Sequence, residues 1–174
     1  AQFRRANRQH LAIADHPVLS MGNIDFTIAL WVYIDAIPSG DDEMGILYKG
    51  TSASYGQEYL IRHTSGRFYF KVADGTAHNA SVAAHDLGAP SLGTWYHIVA
   101  WHDSVNDQIS IKVNNGAVNT ASYSAGSHDS GEPMEIGGLD AILPTRCLLP
   151  DNALVEELRR ILPDLPVYDI GDAV

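Results

Sequence analysis

From Ile24 to Ile136 the sequence alternates apolar and polar residues with a period of two, and clusters of Gly, Asn, Asp and Ser interrupt it at short intervals. Period-two alternation sends successive side chains to opposite faces of a strand. Short strands separated by turn residues at such spacing read as an all-β sandwich or barrel. The clearest strand places Phe26, Ile28, Leu30, Val32 and Ile34 on one face and Thr27, Ala29, Trp31 and Tyr33 on the other. Both faces are rich in apolar groups. The strand is therefore expected to be central, covered by an opposing sheet on one side and by a loop, partner or ligand on the other.

Further strands are expected over 45–49, 58–63, 67–72, 79–84, 95–102 and 108–113, each bounded by turn residues such as Ser65-Gly66 and Asp74-Gly75. In Val113-Asn114-Asn115-Gly116-Ala117-Val118, Asn-Gly is expected to supply the positive φ angles of a tight hairpin turn. Residues 119–123 should then return beside 109–113. Composition changes near Leu139. From Asp151, Leu154, Val155, Leu158, Ile161 and Leu162 form an apolar stripe at helical spacing, with Glu156 and Glu157 early, Arg159 and Arg160 late, and Pro163 as a stop. A helix at about 152–162 and an extended tail follow, packed either on this sandwich or on a neighbouring subunit. The division is thus a sandwich over 1–138 and a distinct C-terminal segment over 139–174.

A chain of 174 residues is one domain in size, and 45% apolar with 18% charged residues is the balance of a chain that buries a core. No apolar run approaches the roughly 18 residues of a membrane-spanning helix, which argues against membrane insertion. A net charge of −10 disfavours nucleic acid, because only Arg4, Arg5 and Arg8 cluster. Cys147 is the single cysteine, so the fold is held without an intrachain disulfide; beside Leu148, Leu149 and Pro150 it reads as a buried thiol.

Laid out in order, the stretches 25–32 (DFTIALWV), 46–50 (ILYKG), 58–62 (EYLIR), 93–100 (GTWYHIVA), 113–116 (VNNG) and 136–138 (IGG) resemble the laminin-G-like jelly-roll family of the concanavalin A-like superfamily of lectins and glucanases. The resemblance implies a two-sheet antiparallel jelly-roll sandwich, all-β but for one C-terminal helix and the tail. Such domains usually continue with a strand of the type Gly-x-Ile-Asp-Glu-Val. Here Leu139-Asp140-Ala141-Ile142-Leu143-Pro144-Thr145 stands instead, so the closing strand is expected to be missing or altered and one sheet edge open to self-association or strand addition. The resemblance also implies a rim calcium, carried by Gln57 or Glu58 and by Asp129 with backbone carbonyls near Asp74. Against this, acidic loop residues are common in a chain of this charge.

Catalysis finds little support. The glucanases of the superfamily place their carboxylates in an alternating pattern on one strand, and Glu132, Glu135 and Asp140 share no strand face, with Pro133 interrupting them. No Gly-x-Ser-x-Gly elbow occurs, and the eight histidines form no zinc motif. Sugars are held by flat aromatic faces and planar polar groups. Tyr55, Tyr59, Arg62, His63 and Tyr69 are therefore the ligand-binding candidates, with Trp31 and Tyr33 as neighbours; aromatic residues in a sandwich also serve as packing. The leading expectation is a non-catalytic, extracellular or surface-displayed recognition or adhesion module for a glycan or protein surface. A second is a structural subunit of an appendage, filament or virion that forms homo-oligomers through 139–174. A glycan hydrolase is third.

Overall fold

The computed structural model describes residue 3, residues 9–37, 43–51 and 55–137, and the backbone of 145–146 and 167–169. The strands are β1 (Leu11–Ile13), β2 (Phe26–Ile34), β3 (Met44–Gly50), β4 (Gln57–Thr64), β5 (Arg67–Ala73), β6 (Asn79–Ala83), β7 (Thr94–Asp103), β8 (Gln108–Val113), β9 (Asn119–Ser122), β10 (Met134–Ile136), β11 (Thr145–Arg146) and β12 (Val167–Asp169). One sheet has the order β12-β1-β10-β3-β4-β5-β6 and the other β11-β2-β7-β8-β9. Every neighbouring pair is antiparallel. The all-β fold expected from the alternation, and the two-sheet antiparallel sandwich that the resemblance implies, are what is observed.

The sheets meet through their inward faces. Val32 and Ile34 of β2, Ile98 and Ala100 of β7, and Ile109 and Ile111 of β8 join Ile61, Phe68, Phe70 and Val72 of the opposing sheet in one buried cluster. β2 and β7 share an unbroken register from Phe26↔His102 to Ile34↔Thr94. β3 and β4 pair with two irregularities, and the second, between Lys49 and Gly50, needs glycine: Gly50 sits at φ 121°, and a Cβ there would collide with the Gly56 carbonyl.

Two details depart from expectation. At the 113–118 turn the positive φ falls on Asn114, at 52°, and Gly116 is not among the left-handed residues. Asn tolerates that region because its short amide bonds locally; here Asn114 Oδ1 accepts the His97 N–H at 2.9 Å. The second departure concerns the closing strand. Thr145 and Arg146 pair with Ile34 and Tyr33 at the β2 edge, while Val167–Asp169 pairs with β1. The C-terminal segment thus adds backbone to an edge of each sheet. The expected helix at about 152–162, Cys147 and the Arg4, Arg5 and Arg8 cluster lie outside the described residues.

Ile111→Ala, at a side chain with 0% exposure, is expected to cost about 2–5 kcal/mol in urea unfolding. Val105→Ala, at 81% exposure, should stay within about 0.5 kcal/mol of the parent.

Candidate functional site

A cleft of about 610 Å³ opens at one end of the sandwich, lined by Tyr55, 77–79, Asp107 and 122–125. Strand register builds it. Gln108 pairs with Ser122, so the β7–β8 turn and the end of β9 emerge side by side, and the Tyr123 N–H donates to the Asp107 carbonyl at 2.7 Å. The opposing sheet contributes the β5–β6 loop, which brings His78 and Asn79 to the other wall. The size lies within the range of about 300–1,000 Å³ usual for small-ligand sites.

Asp74 shapes that loop. Its Oδ1 accepts the backbone N–H groups of Thr76, Ala77 and His78 at 2.9, 3.1 and 3.0 Å. Its Oδ2 accepts the Thr76 hydroxyl at 3.0 Å and lies 2.7 Å from His78 Nδ1. The His78 ring and these backbone donors hold the Asp74 carboxyl well below the usual carboxylate range. Across the cleft, the Tyr123 hydroxyl donates to the Gly126 carbonyl at 2.6 Å, and burial pushes its pKa up. Gly126, at φ 73°, lies so close to Asn23 that a Cβ would meet it at 2.6 Å. Both walls are therefore fixed by local bonds.

The five ligand candidates from the sequence separate. Tyr55 lines the cleft and is 41% exposed. Tyr59 and His63 are 1% and 2% exposed, which removes them as ligand-facing groups. Tyr59 donates to the Leu19 carbonyl at 2.8 Å inside the core, and His63 packs edge-on to Phe68 with its pKa lowered by burial. Arg62 and Tyr69 are paired neighbours on β4 and β5, away from the cleft lining. The Arg62 guanidinium pairs with Glu43 and stands 5.9 Å from the Tyr69 ring centroid. Sequence reasoning missed His78, Asn79, Asp107, Ser122 and Ser124. The one available signal was 74–78, where Asp followed by Thr and His is an Asx-turn pattern.

Two other surfaces are less suited to a sugar. On the outer face of the five-stranded sheet, Trp31 stacks on His97 at 4.8 Å and Tyr33 meets Trp95 at 5.1 Å. These are directly opposed cross-strand positions, so the rings already stabilise one another. A slot of about 350 Å³ between the sheets has walls dominated by Ile28, Leu30, Ile46, Met134 and Ile136 and offers few hydrogen-bonding groups.

The calcium residues implied by the resemblance are partly taken up by protein groups, while Gln57 Oε1 and Glu58 Oε2 are buried without a hydrogen-bond partner. Glu58 Oε1 lies 2.8 Å from Lys49 Nζ and accepts the Ser130 N–H and hydroxyl at 2.8 and 2.6 Å. Asp129 is held low by the Gly131 N–H, which it accepts at 3.1 Å, and by Ser20. The Ala73 carbonyl beside Asp74 accepts from His128. Among the described residues no group of three or more His, Cys, Asp or Glu is placed to hold a metal.

Asp74→Asn should raise hydrogen exchange across 74–78. It should also remove an acid-side slope in stability. With its native pKa depressed, Asp74 stabilises the fold fully above the unfolded value of about 3.9 and progressively less as pH falls below it. Parent and variant urea midpoints compared from pH 6 down to pH 3 check this, and parallel curves would refute it.

Residues 5–144 match the sequence pattern of the Laminin_G_3 family, described as the concanavalin A-like lectin/glucanases superfamily. No curated protein matches the sequence. Among solved structures, domains LG4-5 of the mouse laminin alpha1 chain superpose at TM-score 0.57 with 16% identity, covering 79% of this chain and 34% of that one. The binding domain of Paraclostridial Mosquitocidal Protein 1 superposes at 0.59 with 15% identity, covering 90% and 42%. The Botulinum Neurotoxin serotype G binding domain does so at 0.56 with 15% identity, covering 87% and 40%. This chain spans 34–42% of those chains, and at such identities the likeness is one of fold. With the family pattern running from the first strand past β10, the chain belongs to the laminin-G-like family of the concanavalin A-like lectin/glucanases superfamily.

Proposed function

We propose that this domain is a non-catalytic recognition module that binds a glycan in the rim cleft. The carrying observation is the set of residues that line it: Tyr55, His78, Asn79, Asp107, Ser122 and Ser124, one aromatic and five polar. An aromatic face suits the C–H side of a sugar ring, and planar polar groups with hydroxyls suit its O–H edge. The superfamily description names lectins, and the two toxin neighbours are described as binding domains; both support recognition. A protein surface rich in hydroxyl and amide groups would use the same contacts.

The glucanase reading has less support. Hydrolysis of a glycosidic bond by the usual route needs two carboxylates about 5–9.5 Å apart across one sugar, and Asp107 is the one carboxylate among the described residues lining the cleft. Self-assembly through the C-terminal segment also has less support, since β11 and β12 pair with this chain's own sheets. No helix among the described residues is long and apolar enough to cross a membrane. In this reading the module works outside the cell or on a surface, where glycans are met.

A glycan array with the parent chain is the test, followed by titration of any hit. Tyr55→Ala and His78→Ala should each weaken binding by about tenfold or more, the loss typical of a contact at the centre of a site. Trp31→Ala, on the outer sheet face, should leave affinity within about twofold. No glycan bound by the parent, or equal losses at all three positions, would defeat the reading, and sugar release from a bound glycan would restore the hydrolase.

A further inference from the structure

Lys49 places a charged group where the sandwich has no water to offer it. Its side chain has 0% exposure, yet its Nζ lies 2.6 Å from Asp15 Oδ1, 2.8 Å from Glu58 Oε1 and 2.8 Å from the Glu132 carbonyl. An ammonium has three hydrogens, and here each has one oxygen to meet. The oxygens come from three separate parts of the chain: the loop after β1, strand β4, and the loop that leads into β10. Two carboxylates and a backbone carbonyl are also the donor set that a hard divalent cation selects.

We propose that the Lys49 ammonium is the resident cation of this rim, cross-linking three segments through Glu58, one of the residues that the resemblance implies for calcium, so that the domain is assembled without a divalent metal. Two further observations agree. Glu58, one of the residues expected to ligate calcium, is 0% exposed and meets Lys49 and Ser130 through one oxygen, so a divalent ion there would have to sit against a fixed positive charge. Burial alone would lower the Lys49 pKa, but the hydrogen bonds that its ammonium donates to Asp15 and Glu58 outweigh it and hold the pKa above the ordinary lysine value.

The same group orders the loop that forms one cleft wall. From the cleft at 122–125 the chain runs through Ser127, whose N–H donates to the Gly22 carbonyl at 2.9 Å, and Ser130, bonded to Glu58, to the Glu132 carbonyl on Lys49. Lys49 therefore stands in the position of a positioning residue for that wall. The inference concerns how the rim is held and does not depend on the glycan reading.

The test reads stability and metal binding, so its failure is distinct from failure of the glycan assay. The thermal midpoint of the parent chain should differ by less than about 1 °C between excess EDTA and excess calcium chloride, with no calcium heat in titration calorimetry. Lys49→Met, similar in length but uncharged, should lower the midpoint in both conditions, because two carboxylates then face each other without a counter-charge. Lys49→Ala should lose stability in EDTA, recover part of it in calcium and show a calcium heat that the parent lacks. Should Lys49→Ala fail to fold, Lys49→Gln takes its place in the same comparison. Calcium that stabilises the parent chain, or a folded alanine or glutamine variant indifferent to calcium, would overturn the proposal.

Discussion

A strand with one face buried against a second sheet tolerates no slip, since a shift of one residue turns every side chain to the opposite face. The register of β2 on β7 is where this constraint is strongest, running from Phe26↔His102 to Ile34↔Thr94 without a bulge. It sends Phe26, Val32 and Ile34 inward and leaves Trp31 half-exposed. It also carries His102 into the interior, where Nδ1 lies 2.8 Å from the Ile24 carbonyl and the ring stands 6.0 Å from Tyr123. Tyr123 is the residue from which the cleft wall departs. The cleft is thus a consequence of the register passed from β2 to β7, β8 and β9, because each pairing fixes where the next turn emerges.

The ends of such a sandwich are loops, and this chain has a single cysteine with which to tie them. Polar bonds do that work. Asp74 gathers three backbone N–H groups of its own loop, Tyr123 closes onto Gly126, and Lys49 joins three segments. These bonds differ in kind. The Asp74 turn is exposed and local, so water competes with each of its bonds. The Lys49–Glu58 pair has no exposed surface on either side chain, and breaking such a pair by removing one partner typically costs about 3–5 kcal/mol, most of it the burden of an unpaired buried charge. The rim is thus held by buried bonds at the Lys49 end and by exposed ones toward His78.

The sheets were largely legible because their strands carry enough alternation to count. Expected 67–72 appears as Arg67–Ala73, 95–102 as Thr94–Asp103 and 108–113 as Gln108–Val113. β1, β11 and β12 have at most three residues each, too few for a period to show. The site was harder to read for a different reason. On β4 both faces are apolar, and alternation alone does not say which is inner; Tyr59, Ile61 and His63 share one parity, Leu60 and Arg62 the other. Tyr59 and Ile61 join the core cluster, and His63 packs on Phe68 beside them. Tyr55, outside the strand, escaped that ambiguity and does line the cleft. The partners of Lys49 lie 34 and 83 residues away for Asp15 and Glu132, a distance at which no local pattern could pair them.

Parity also explains why core and cleft can vary separately. A core side chain is constrained from every direction, by its own strand, its two strand neighbours and the facing sheet. Tyr55, His78 and Ser124 leave from loops or from just beyond a strand, so each is bounded on one side only, and a change there alters the surface offered to a ligand without altering any inward position. Lys49 is the exception to this separation. It lies on β3 between Met134 and Tyr59 in the ladder, yet its charge reaches the loops, so one side chain belongs to the sheet by register and to the rim by chemistry. Any ligand preference that depends on the shape of the 122–132 loop is therefore coupled to the core at this lysine.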